Sequence, residues 1–288
     1  MIQRTAARIE AHTPESPQPT WQTLLARSVT RPDTLLQRLG LDPGLLEGAR
    51  RGHEAFPVRV PEPWLARIRP GDPDDPLLRQ VLPLADEGEQ QPGYVRDPLQ
   101  EADATAAPGL IRKYRSRALL MVTGQCAINC RYCFRRHFPY QDHRLSPRQR
   151  DEVVATLRAS PEINEVILSG GDPLAVNDHL LSGWADALAS VPSLTRLRIH
   201  SRLPVVIPQR VNDDLLTWVE ASPLQVVLVI HVNHPREIDD DVRVAMKRLK
   251  QAGVTLLNQS VILKGVNDDP QVLAALSETL FGAGVLPY

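Results

Sequence analysis

The sequence contains few cysteines, few lysines and no long hydrophobic stretch. Its 288 residues carry a formal net charge of -1 and include only three cysteines. No apolar run approaches the ~20 residues that a membrane-spanning helix needs, and residues 1–19 lack the apolar core of a signal peptide. A nearly neutral chain has no general attraction to nucleic acid or to an anionic membrane. We therefore expect a cytoplasmic protein that binds neither nucleic acid nor membranes.

The three cysteines lie too close together to form a disulfide framework. Cys126, Cys130 and Cys133 form a C-x3-C-x2-C pattern within eight residues, and an odd number of thiols cannot pair completely. Thiolates are the ligands of iron–sulfur clusters, and a loop this short can bring three sulfurs to three corners of one cubane. The pattern therefore predicts a [4Fe-4S] cluster whose fourth iron is open to an external ligand. A zinc site completed by His137, and cysteines that bind no metal, are the alternatives.

Short apolar runs alternate with helix-like segments after residue 117. We predict strands at 118–123, 165–168, 197–200, 225–231 and 255–263, and helices at 146–159, 178–189, 213–220, 239–252 and 270–282. This alternation is typical of an α/β protein with a parallel sheet. A sixth strand begins at residue 284, four residues before the last residue given, so we expect the C-terminal end to be missing and the sequence to be a fragment or a short version.

The first 105 residues have a different composition from the rest. They are rich in proline and arginine, and they carry short apolar runs at 21–25 and 33–39, with Asp33 as a plausible N-cap of a helix. We predict a helical and wrapping segment over residues 1–105, disordered up to about residue 18, and a core domain over residues 106–288.

Polar residues follow four successive predicted strands. They are Ser169–Pro173, then Ser201 and Arg202, then His231 with Asn233 and His234, and finally Asn258–Ser260. In parallel α/β folds the residues after the strands meet at one end of the sheet, where sites are built. Each group taken alone also has a structural explanation, since Gly-Gly-Asp-Pro forms a good turn and a single histidine often only completes a hydrogen bond.

Several segments together resemble one enzyme family. The cysteine segment 124–140, with Tyr132 before its third cysteine, is similar to the radical S-adenosylmethionine (SAM) superfamily, and in particular to the lysine 2,3-aminomutase family. Segments 169–174, 199–210, 231–235 and 257–268 resemble the same family. The ending Arg136–Tyr140 resembles the branch that supplies (R)-β-lysine for elongation factor P. The resemblance implies a partial (β/α)6-type radical SAM barrel with an N-terminal helical appendage.

The resemblance also implies cofactors, partners and site residues. It implies a [4Fe-4S] cluster, SAM, pyridoxal 5′-phosphate (PLP), free lysine as substrate, an electron donor such as flavodoxin or ferredoxin, and a ligase that transfers the product to elongation factor P. It assigns Arg135 to the substrate carboxylate. It assigns SAM to Gly170, Gly171, Asp172, Ser201, Arg202, His231 and Gln259. It assigns PLP to Lys113, Tyr114 and Arg117.

Two points remain open on the sequence. The lysine that binds PLP covalently in the family would lie beyond Tyr288, and none of the four lysines present matches it, so we expect this chain alone to be inactive or nearly so. An aminomutase acting on another amino acid such as glutamate, or a non-catalytic module holding an iron–sulfur cluster or zinc, are the alternative functions.

Overall fold

The computed structural model describes residues 19–89, 92–95, 97–101, 104–138 and 147–288, so the predicted disordered tail lies outside the described residues. The helices are α1 (Trp21–Ala26), α2 (Pro32–Leu39), α3 (Leu46–Ala55), α4 (Glu62–Leu65), α5 (Pro147–Arg158), α6 (Asp178–Ala189), α7 (Leu203–Val206), α8 (Asp213–Ala221), α9 (Asp240–Gln251) and α10 (Pro270–Gly282). The strands are β1 (Thr105–Ala107), β2 (Leu110–Ile111), β3 (Arg117–Thr123), β4 (Glu165–Gly170), β5 (Arg196–Ser201), β6 (Gln225–Ile230), β7 (Thr255–Asn258) and β8 (Leu286–Pro287).

The strands form one sheet in the order of the chain, from β1 to β8. The first three strands pair antiparallel, and β3 to β8 pair parallel. At least one helix lies between each pair of successive parallel strands. Among the described residues no ladder joins the two edges of the sheet, so it is open. The predicted α/β class and the partial barrel with an N-terminal helical appendage are confirmed.

The two faces of the sheet differ in chemistry. Neighbouring positions in a parallel ladder share a face, and the face that carries Leu120, Leu168 and Leu197 is buried in the hydrophobic core beneath the helices. The other face, here called the open face, carries polar residues such as Glu165 and His200. The strands therefore bury one side and present polar groups on the other.

The N-terminal helices share a hydrophobic core with the sheet. Trp21, Leu35 and Trp64 belong to the same buried cluster as Leu120 and Leu168. The division of the chain at residue 105 stays a prediction.

Two details differ from the sequence prediction. Helix α2 begins at Pro32 after Arg31, and Asp33 accepts from Arg31 Nε at 3.1 Å, so the predicted N-cap was wrong; proline's fixed φ suits the first helical turn. The strand predicted at 255–263 ends at Asn258. The backbone leaves the sheet there because Val261 N donates to Asn233 Oδ1 at 2.9 Å.

The hairpin β1–β2 and helix α3 were not predicted. β1 is a three-residue segment rich in alanine, and α3 is rich in charged residues. The hairpin strands are too short to show an alternating pattern, and α3 buries only the small residues Ala49 and Gly52. No helix among the described residues is both long enough and apolar enough to cross a bilayer.

Candidate active site

The cysteine loop begins where β3 ends and lies directly against the glycines that end β4. Gly171 N donates to Thr123 O at 2.8 Å, and Asp172 N donates to Gln125 O at 2.7 Å. A Cβ atom at Gly170 would lie 2.2 Å from Thr123 O, and one at Gly171 would lie 2.3 Å from Gln125 O. The glycine pair is therefore required for the close approach of the cysteine loop to β4.

The N-terminal region holds the other side of this loop. Arg59 Nη1 donates to Cys126 O at 3.0 Å, and Asn129 N donates to Arg59 O at 3.2 Å. Arg131 N donates to Gln80 O at 3.0 Å. The loop is thus fixed between the sheet and residues that precede it by about 50 to 70 positions.

A buried ion-pair network also joins the cysteine loop to the N-terminal region. Arg131 donates to Glu87 Oε1 at 2.8 Å and to Phe56 O at 2.7 Å, and Arg136 donates to Glu87 Oε2 at 2.8 Å. Both guanidinium groups lie over the Phe56 ring, at 5.1 and 4.9 Å from its centroid. Two cations therefore sit beside the cysteine loop, with one carboxylate between them.

The thiols interact with one another and with nearby arginines. Burial raises the pKa of Cys126 and of Cys133, and the charge of Cys130 raises both further. The positive charge of Arg59 lowers the pKa of Cys126, and that of Arg135 lowers the pKa of Cys133. Cationic surroundings of this kind fit an anionic thiolate-ligated cluster, whose binding must displace the thiol protons.

Three thiolates in one loop are a donor set that iron–sulfur clusters use. No group of three or more His, Cys, Asp or Glu side chains in the described parts of the chain converges as the ligands of one metal ion do. A cubane takes one thiolate on each iron, so its ligands surround a volume rather than a point. The three cysteines can hold such a cluster.

Asp172 joins the ends of β4 and β5. Its carboxylate accepts from Ser201 Oγ at 2.6 Å, Arg202 N at 2.8 Å, Leu203 N at 2.9 Å and Leu174 N at 3.0 Å. Burial raises the pKa of Asp172, although these four donors oppose the rise. The aspartate and Ser201 thus have local structural partners, and their assignment to SAM stays a prediction.

Arg202 is buried beside the cysteine loop. Its Nη1 donates to Cys130 Sγ at 2.9 Å, and its Nη2 donates to Gln80 Oε1 at 2.5 Å and to Glu237 Oε2 at 3.0 Å. Glu237 also accepts from Asn233 N at 3.0 Å. The arginine therefore links the cysteine loop to the end of β6.

Two histidines meet on the open face. The rings of His200 and His231 lie 5.6 Å apart, and His200 Nε2 has no hydrogen-bond partner among the described residues. Burial lowers the pKa of His200 to about 3, and that of His231 to about 4. Both rings are therefore neutral near pH 7. Gln259, also assigned to SAM, is exposed just after β7.

Arg135 lies on the open-face side of β4, where its guanidinium is paired. It donates to both carboxylate oxygens of Glu101, at 2.8 and 2.6 Å, and to Ser169 Oγ at 2.8 Å. Its side chain is 9% exposed and that of Glu101 is 5% exposed. These three contacts use three of the five guanidinium N–H groups, which leaves two for a further acceptor.

The residues assigned to PLP lie at the opposite end of β3 from the cysteines. Arg117 begins the strand, and its Nε has no hydrogen-bond partner among the described residues. The guanidinium of Arg117 lies 4.9 Å from the centroid of the exposed Tyr114 ring. Lys113 Nζ donates to Leu99 O. An unpartnered buried donor beside two further polar groups fits an anionic ligand such as a phosphate.

The sequence analysis did not identify Gln80, Glu87, Glu101, His200 or Glu237 as site residues. Each lies far along the chain from the residue that it contacts, so no local pattern marks it. Only Glu237 carried a signal, because it directly follows the polar segment that begins at His231.

Comparison with known proteins points to one family. Residues 120–200 match the family model described as the Radical SAM superfamily. The chain is 50% identical over 270 residues to the L-lysine 2,3-aminomutase of Escherichia coli (strain K12), which covers 93% of this chain and 78% of that protein. It is 47% identical over 268 residues to the L-lysine 2,3-aminomutase of Haemophilus influenzae, covering 93% of this chain and 79% of that protein.

A more distant relative bears the same name. The chain is 37% identical over 243 residues to the L-lysine 2,3-aminomutase of Clostridium subterminale, covering 84% of this chain and 58% of that protein.

Proposed function

Because this chain belongs to the lysine 2,3-aminomutase family of radical SAM enzymes, we propose that the complete gene product converts free L-lysine to (R)-β-lysine, with PLP as a further cofactor. As a member of that family it is an isomerase that uses SAM and an iron–sulfur cluster. The product would be attached by a ligase to elongation factor P. This assignment makes the protein cytoplasmic, with flavodoxin or ferredoxin as electron donor.

The observation that carries the proposal is the cysteine loop and its surroundings. Cys126, Cys130 and Cys133 follow β3 and are the three cysteines of the sequence. Arginines lie close to Cys126 and to Cys133. In the proposed enzyme they hold a [4Fe-4S] cluster whose fourth iron is available to SAM. When bound, the cluster and SAM together supply a 5′-deoxyadenosyl radical that removes a hydrogen atom from the substrate.

The chain's own residues position the reactants. Gly170 and Gly171 admit the cysteine loop against β4. Beside them, the neutral rings of His200 and His231, with Gln259, offer polar contacts for an adenosyl group on the open face. Both histidines are half-buried, which restricts the access of water to their rings and so limits side reactions of a radical.

Arg135 is the proposed contact for the substrate carboxylate. Glu101 and Ser169 hold the guanidinium in place, and its two remaining N–H groups can receive a carboxylate. A planar guanidinium binds carboxylates in a fixed orientation. The same contact would serve any α-amino acid, so Arg135 does not by itself distinguish lysine from glutamate.

Lys113, Tyr114 and Arg117 are the proposed contacts for the phosphate of PLP. The unpartnered Nε of Arg117 supports this assignment, since a buried donor without an acceptor is costly. In the proposed organisation, residues 1–105 form the appendage that fixes the cysteine loop, and residues 106–288 form the catalytic core. None of the four lysines is assigned to a covalent bond with PLP.

The function is tested with protein expressed from its complete reading frame and reconstituted anaerobically with iron and sulfide. It is incubated with PLP, SAM, dithionite and either L-lysine or L-glutamate, and the products are separated by chiral chromatography. We expect (R)-β-lysine from lysine, no β-glutamate, and no product from the Cys130→Ser variant. β-Glutamate as the main product would favour the alternative substrate. The absence of 5′-deoxyadenosine would favour a non-catalytic module.

A further inference from the structure

One buried cation touches a sulfur that the proposed function assigns to the cluster. Arg202 Nη1 donates to Cys130 Sγ at 2.9 Å, and the arginine side chain is only 6% exposed. A charged donor at this distance forms a stronger hydrogen bond than a neutral one. Arg202 is therefore placed to act on the thiolate itself.

The rest of the Arg202 side chain is held rigidly. Its Nη2 donates to Gln80 Oε1 at 2.5 Å and to Glu237 Oε2 at 3.0 Å, and Glu237 has no exposed side-chain surface. Gln80 Nε2 in turn donates to Glu237 Oε1 at 2.9 Å. A guanidinium fixed in this way cannot turn from the sulfur without breaking a buried network.

Aromatic rings enclose the same guanidinium. Its central carbon lies 4.5 Å from the centroid of Trp64 and 5.5 Å from that of Tyr132. The guanidinium group of arginine is not deprotonated in proteins, and here it also pairs with the carboxylate of Glu237. Arg202 therefore carries its charge throughout the working pH range of a protein.

We propose that Arg202 is a positioning residue for the iron–sulfur cluster: it holds Cys130 and raises the reduction potential of the cluster. The proposal rests on the proposed function, because it requires a cluster on Cys126, Cys130 and Cys133. Reduction adds one electron, and hence one negative charge, to the cluster. A fixed positive charge and a hydrogen bond to a ligand sulfur both stabilise that added charge.

This role differs from the SAM contact that the family resemblance assigns to Arg202. Three of the five guanidinium N–H groups of Arg202 donate to Cys130, Gln80 and Glu237, while its Nε has no hydrogen-bond partner among the described residues. A residue that mainly binds SAM should alter SAM affinity and leave the cluster unchanged when SAM is absent. A residue that acts on Cys130 should alter the cluster when SAM is absent.

The test is a redox titration of the reconstituted protein, monitored by electron paramagnetic resonance (EPR) without SAM, with dithionite as the reductant. In Arg202→Gln we expect the ratio of reduced to oxidised cluster at a fixed potential to fall at least tenfold. That change corresponds to about 59 mV for a one-electron couple. Arg202→Lys keeps the charge and should restore part of the loss. The dissociation constant of SAM should change little in either variant.

Glu237→Gln provides a control of opposite sign. It removes the negative partner of Arg202 and leaves the arginine in place, so the ratio of reduced to oxidised cluster should rise. General damage to the site would not move the two variants in opposite directions. Iron content and circular dichroism confirm that each variant has folded and holds a full cluster. If Arg202→Gln takes up no cluster, Arg202→Lys and Glu237→Gln still provide the comparison.

The outcomes separate the two roles. An unchanged potential in a fully loaded Arg202→Gln variant, together with weaker SAM binding, would overturn the proposal and return Arg202 to SAM. Shifts of Arg202→Gln and Glu237→Gln in the same direction would overturn it as well. If the wild-type protein formed no cluster that responds to SAM, the proposed function would fail instead.

Discussion

At the scale of single residues, the site is built from polar groups that are buried but mostly paired. Asp172 has four donors around it, and Arg135 and Arg202 each bind a buried carboxylate. A buried charge is tolerated when it is paired and hydrogen-bonded, and removing its partner is costly. The exceptions, such as His200 and Arg117, retain an unpartnered nitrogen and are therefore the residues most available to a ligand.

Gly171→Ala tests whether the glycine pair is needed for the cysteine loop. The added Cβ would lie 2.3 Å from Gln125 O, so the backbone must move. We expect a loss of about 1–3 kcal/mol in the free energy of unfolding and reduced iron uptake, measured by urea unfolding and iron analysis. Gly48→Ala in α3 is the control, since its Cβ would lie 3.8 Å from Ala85. Equal behaviour of the two variants would contradict this role.

His200→Gln tests the buried histidine pair through pH. Burial lowers the pKa of His200 to about 3, and His231, Arg198 and Arg135 add to the effect. The unfolded chain binds a proton below about pH 6.5 while the folded chain does not, so stability falls as pH drops from 6.5 toward the folded pKa. Between pH 7 and pH 5 we expect wild type to lose about 2 kcal/mol more than His200→Gln.

Urea unfolding at the two pH values measures this difference. His179→Gln is the control, because His179 is exposed on α6, and it should behave as wild type does. Identical pH dependence in wild type and His200→Gln would show that folding does not lower the pKa of His200.

At the scale of secondary-structure elements, the cysteine loop depends on segments before and after it. β4 supports one side, and residues 57–87 support the other through backbone contacts and the pair of Arg131 with Glu87. The segments that connect and follow the N-terminal helices therefore contribute to the site although they carry none of its chemistry.

Arg131→Gln tests this N-terminal support. The side chains of Arg131 and Glu87 are 7% and 15% exposed, and removing one partner of a buried pair costs about 3–5 kcal/mol. We expect a loss near the lower value, because Arg136 still pairs with Glu87. Thermal and urea unfolding measure it, and cluster uptake should fall in parallel.

Arg51→Gln provides the matched control for that variant. Arg51 pairs with Glu47 in α3, where both side chains are mostly exposed, and such pairs contribute about 0.5 kcal/mol or less. If Arg131→Gln were as mild as Arg51→Gln, residues 57–87 would not hold the cysteine loop.

The sequence was a good guide to the elements of the sheet and a poorer guide to the N-terminal region. The bounds predicted for α6 and α10 match the structure, since each helix follows a polar cap residue, Asn177 for α6 and Asp269 for α10. The strand at 255–263 was predicted too long because Val261 and Ile262 are apolar, yet both are exposed. Whether an apolar residue after Asn258 is buried or exposed depends on tertiary contacts, which no local sequence pattern reveals.

Some residues of the candidate site could be predicted from the sequence and others could not. The cysteines and the polar groups after the strands could be found because they follow apolar runs in a repeating order. Glu101 and Gln80 could not be found, since each acts by neutralising or holding an arginine that lies far away in the sequence. Pairing of buried charges is decided by the fold as a whole.

At the scale of the whole molecule, the open sheet separates two groups of residues. The cysteines lie after the carboxyl end of β3, and Arg117 lies at its amino end. Arg135, His200 and His231 also lie at the carboxyl ends of their neighbouring strands. This arrangement would place a cluster with SAM at one end of the sheet and a phosphate at the other.

The account depends most directly on an iron of the cluster that SAM can bind. The decisive measurement is the EPR spectrum of the anaerobically reconstituted and dithionite-reduced protein, recorded with and without SAM, together with assay of 5′-deoxyadenosine. We expect about four irons for each chain, a spectrum that changes when SAM is added, and release of 5′-deoxyadenosine. Bound zinc, or a cluster whose spectrum is the same with and without SAM, would contradict the account.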